Sequence, residues 1–89
     1  MSNWQKGVFG EVEVELLRAE RLHGTFNSLH EGYAVILEEL DEVWDTVKRN
    51  NYVDARAEAI QVAAMAIRFV FTIDSLTVEP QAQQAMEEE

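Results

Sequence analysis

Eighty-nine residues without a cysteine form one domain that has neither a disulfide framework nor a thiolate metal site, and at this length folding buries only about 60–65% of the unfolded surface. A core that small is marginal, so a second copy of the chain is the expected remedy. Seventeen acidic against seven basic side chains give a formal net charge of −10, which repels phosphate backbones and anionic lipid: nucleic acid and membranes are poor partners, cations good ones.

Residues Met1 to Lys6 carry no basic stretch followed by an apolar run, so a cytoplasmic location is expected. Strand signals are sparse, with one proline and no Asn-Gly or Asp-Gly turn, and the chain reads as all-α. The first helix is expected over 8–23, with Val12, Leu16, Ala19 and His23 inward and Glu13, Glu20 and Arg21 outward. Gly24-Thr25-Phe26-Asn27 breaks the pattern. Ser28 with Glu31 three residues later is a capping box that opens a second helix over 29–49. Its apolar positions are Tyr33, Ile36, Leu37, Leu40, Val43, Trp44 and Val47, at spacings of three and four, which predicts core packing for Tyr33 and Trp44.

Asn50-Asn51-Tyr52 ends that helix, since asparagine tolerates a left-handed C-cap, and Asn51 or Asp54 caps the next. So short a turn makes 29–49 and 54–76 an antiparallel hairpin. The third helix is apolar nearly all round from Val62 to Ile73, as expected of a helix buried on several sides. That run spans twelve residues with Arg68 inside it, short of the ~20 of a membrane span. Homo-oligomer contacts through Ile67, Val70 and Phe71 account for it. The domain is expected to span 1–78, followed by an acidic, Gln-rich tail over 79–89.

Glu38, Glu39, Asp41, Glu42 and Asp45 crowd two turns of the second helix, where like charges cost stability unless a cation offsets them. Glu39 and Glu42 are neighbours on one side of that helix, as Glu58 and Gln61 are on the third. Counted from the turn, Glu42 is level with Glu58, roughly 12 Å away along each helix, and Glu39 is level with Gln61. Four oxygen-bearing side chains in one cluster suit Mg²⁺ or Mn²⁺. A solvated acidic face is the other reading of the same residues.

The segments Glu38-Glu39-Leu40-Asp41-Glu42-Val43-Trp44-Asp45 and Asn51 to Gln61 resemble the MazG-like all-α nucleotide pyrophosphohydrolases, whose ExxE and later ExxD pairs hold Mg²⁺. Glu39 to Glu42 corresponds to the ExxE. Glu58 to Gln61 corresponds to the ExxD, with glutamine in its last place. The resemblance runs from Gly32 to Phe71. It implies a helical bundle completed by homo-oligomerisation into a dimer or tetramer, and hydrolysis of a nucleoside triphosphate to monophosphate and pyrophosphate. Glu39, Glu42, Glu58 and Gln61 would be metal ligands and Glu38 would orient water. The departure at Gln61 lowers the site's charge and leaves a second expectation: a non-catalytic helical interaction module that retained the fold.

Lys48 and Arg56, near the hairpin turn, are candidate phosphate contacts, although helix-end cations also serve the dipole. His23 and His30 read as loop packing. No phosphate-binding glycine loop and no Ser or Cys nucleophile motif is present.

Overall fold

The computed structural model describes residues 1–77; the expected tail over 79–89 lies outside them. Three helices follow in order: α1, Asn3–His23; α2, Leu29–Lys48; and α3, Tyr52–Thr77. No strand occurs among the described residues.

Helix α1 starts five residues before the expected boundary because Ser2 caps it. The Gln5 amide donates to the Ser2 hydroxyl and the Ser2 amide donates to the Gln5 side chain at 2.8 Å, a reciprocal arrangement that satisfies two donors a bare helix start would leave free. Ser28 caps α2 by accepting from the Glu31 amide at 3.1 Å. The Glu31 carboxylate turns instead to the Asn27 side-chain amide, at 3.0 Å. Arg49 is the C-cap of α2 and Asn50 turns the chain with a φ of 53°, the left-handed backbone that asparagine tolerates. Asn51 then caps α3, accepting from the Asp54 amide at 3.1 Å and donating to the Asp54 carboxylate at 2.8 Å.

Helices α2 and α3 form the antiparallel hairpin, and α1 packs on α3 alone. Helix α3 is therefore central, and α1 and α2 leave a cleft between them. Val12, Leu16 and Ala19 of α1, Phe26 of the loop, and Ala64 and Met65 of α3 make the buried core, with Val35, Ile36, Ile60, Ala63, Ile67 and Phe69 packed around it. His23, expected inward, is exposed, because the chain leaves the helix there through Gly24.

Tyr33 and Trp44 are also not in the core. Their relative exposures are 64% and 59%, and Leu37, Leu40 and Val47 are exposed beside them. The face that α2 presents to the rest of the chain is Gly32, Val35, Ile36, Glu39, Val43 and Thr46, roughly a third of a turn away at 3.6 residues per turn. The apolar arc of α2 is wider than one neighbouring helix covers, and no second neighbour packs on it among the described residues. On α3, Val70 and Phe71 are likewise exposed.

Helix α3 exceeds the twelve-residue run read from the sequence. An eighteen-residue window within Tyr52–Thr77 has a mean hydropathy of 1.5, so by length and composition alone this helix is apolar enough to cross a membrane. It lies between α1 and α2, and 22% of that window is buried in the single chain, fewer sides than the all-round apolar pattern predicts.

Candidate metal centre

One turn of α2 carries Glu39 and Glu42, and α3 returns past them with Glu58. One carboxylate oxygen from each of the three lies within 4.8 Å of the others. Glu42 is exposed, while Glu39 and Glu58 are half-buried. One oxygen on each of these two, Glu39 Oε2 and Glu58 Oε2, is shut away from solvent with no hydrogen-bond partner.

Three carboxylates so close oppose one another's ionisation. Burial pushes the Glu39 carboxyl up to about 7, and the charges of Glu42 and Glu58 push the same way. Glu58 is raised too, first by burial and then by Glu42. Orphaned, inward-facing carboxylate oxygens from two antiparallel helices are the donors that a hard, oxygen-seeking cation takes, and such a cation would offset both the repulsion and the lost hydration. The residues present thus fit a Mg²⁺- or Mn²⁺-class ion.

Gln61, one turn along α3 from Glu58, lines the same cavity as Glu39. Its amide stands by the Glu15 carboxylate of α1, which Arg18 first and Gln61 second hold below the usual carboxylate range. Glu38 is exposed and lies neither in the cluster nor on the cavity wall.

The two expected phosphate contacts point elsewhere. Arg56 forms a two-pronged ion pair with Glu11 of α1, one prong at 2.8 Å, and this pins α1 to α3. Lys48 pairs with Asp45 at 3.2 Å and lies over the Trp44 ring at 5.9 Å. Neither lines the cavity that Glu39 enters.

That cavity, about 330 Å³, fills the cleft between α1 and α2. Its cationic wall is Arg18 and Arg68, with His23 and the Phe26 ring nearby. Sequence reasoning missed Arg68 as part of this cavity's wall. Its one signal was a lone charge inside the apolar run from Val62 to Ile73.

No known family, no curated protein and no solved structure matches this chain.

Proposed function

We propose that the chain is a MazG-like, Mg²⁺- or Mn²⁺-dependent nucleoside triphosphate pyrophosphohydrolase, working in the cytoplasm as a homodimer or tetramer. The observation that supports it is the meeting of Glu39, Glu42 and Glu58 within 4.8 Å, with two of their oxygens buried and unpartnered. Glu39 and Glu58 would grip the ion from α2 and α3. A bound divalent ion would neutralise triphosphate charge and make water a better nucleophile. Glu42, exposed on the solvent side of the cluster, is placed to accept a proton from that water, a role for which the exposed Glu38 is less well sited. Gln61 would add a neutral oxygen, since its N–H groups and not its oxygen suit the Glu15 carboxylate.

That last point favours the second reading, a non-catalytic helical oligomer. Glutamine stands in the fourth carboxylate's place and brings the site no charge.

Pyrophosphate release from a panel of ribo- and deoxyribonucleoside triphosphates, with and without Mg²⁺ or Mn²⁺, separates the two. Metal-dependent release that disappears in both Glu39→Ala and Glu58→Ala supports the hydrolase. No release from folded, oligomeric protein at any metal concentration overturns it in favour of the interaction module.

A further inference from the structure

The loop end of the α1–α2 cavity holds a cation, Arg68, that forms no ion pair among the described residues. Arg68 is only 5% exposed, and its guanidinium carries five N–H donors. Nη2 donates to the Gly24 carbonyl at 2.8 Å, and Nη1 faces the Met65 sulfur, a weak acceptor, at 3.2 Å. The Phe26 ring stacks on the guanidinium at 4.1 Å. The buried Nε–H has no acceptor, and among the described residues no carboxylate forms an ion pair with Arg68. The other arginine on the wall, Arg18, is already neutralised by Glu15.

A buried charge without an ion-pair partner is costly. Anchoring the loop through Gly24 and Phe26 needs a hydrogen-bond donor, and a glutamine would serve; it does not need a charge. An anion in the cavity does. The remaining wall is Ala19, Leu22, Val35 and Met65, which are apolar, with Gln61 and the carboxylates of Glu31 and Glu39; Asn27 donates to the Glu31 carboxylate, and the volume lies at the small end of the range of small-molecule pockets.

We propose that this cavity binds a small organic anion, its carboxylate or phosphate group seated at Arg68 and its apolar body against Leu22 and Val35. The site does not rest on the hydrolase reading. Along α3, Arg68 is roughly 15 Å from Glu58 at 1.5 Å per residue, and of the three clustered carboxylates only Glu39 lines the cavity, so an anion at Arg68 is held by neither Glu42 nor Glu58.

Calorimetric titration of the full chain with benzoate, phenyl phosphate and inorganic phosphate, with EDTA present, tests the proposal. Saturable binding of benzoate or phenyl phosphate without divalent metal is expected, and their relative affinities identify the head group. Leu22 is 61% exposed on the cavity rim, so Leu22→Glu keeps the fold while repelling the anion, and should weaken binding about tenfold or more; Leu22→Lys should not. Arg68→Gln, with its helical circular dichroism retained, should abolish binding. Three outcomes overturn the proposal: no binding of any probe, binding indifferent to Leu22→Glu, or inorganic phosphate binding as tightly as the two aromatic anions.

Discussion

At Glu39 one carboxyl group carries the largest share of the cluster's pH behaviour, with Glu58 raised in the same direction. Its folded-state pKa of about 7 lies above the ordinary 4.5, so between those values the folded chain holds more protons than the unfolded one, and metal-free stability falls as pH rises through that window. Glu11 and Glu15 are held below the usual carboxylate range by Arg56 and Arg18, so they act below it and in the opposite sense. Glu39→Gln should flatten the slope and raise the melting temperature near pH 7.5 by about 5 °C, on the order of 1 kcal/mol. Thermal melts at about pH 5 and pH 7.5 with EDTA measure this, and an unchanged slope would mean that the group is not desolvated as described. Saturating Mg²⁺, if it binds the cluster, should stabilise wild type more at the higher pH, because the ion competes with the proton. Glu39, Glu42 and Glu58 were legible in the sequence because helical spacing and a short turn fix their level. The partner of Gln61 was not, because Glu15 arrives on α1, whose place against α3 no local pattern encodes.

Helix α2 packs on α3 at Gly32 with no room for a side chain. A Cβ built there meets the Phe69 ring at 2.5 and 2.9 Å and the Phe26 ring at 3.0 Å. Gly32→Ala should therefore destabilise the chain by about 1–3 kcal/mol, measured by urea denaturation, since two core rings would have to move. Helix α1 behaves oppositely. Nothing lies within 4 Å of a Cβ at Gly7 or Gly10, so Gly10→Ala should stabilise the chain by up to about 1 kcal/mol through helix propensity alone. A loss instead would reveal a close neighbour at that face in the assembled protein. The helices themselves were legible from caps and periodicity: Ser28, Asn51 and the three-four spacing of α2 all act locally. The start of α1 was missed although Ser2 and Gln5 were in plain view, because no apolar periodicity runs through Asn3 to Gly7 to draw attention to the cap.

For the whole molecule, the unpaired stripe of Tyr33, Leu37, Leu40, Trp44 and Val47 is the feature with most consequence. Its spacing of four and three residues is that of a seam between packed helices, and these side chains are exposed in the single chain. Such a stripe supports the homo-oligomer proposed above. Trp44→Glu or Leu40→Glu should then lower the mass measured by light scattering, and wild-type melting temperature should rise with protein concentration. A wild type that stays monomeric at high concentration would count against it. The sequence by itself determined an all-helical chain, its hairpin and the level at which three carboxylates meet, because caps, turns and helical periods act over a few residues. Only the tertiary structure decided that α3 is central, that the apolar arc of α2 is half unpartnered among the described residues, and that Arg68 is buried in a cavity and forms no ion pair among them. Those depend on where α1 packs, and helix-on-helix packing is chosen by the shapes and burial of residues far apart in the chain.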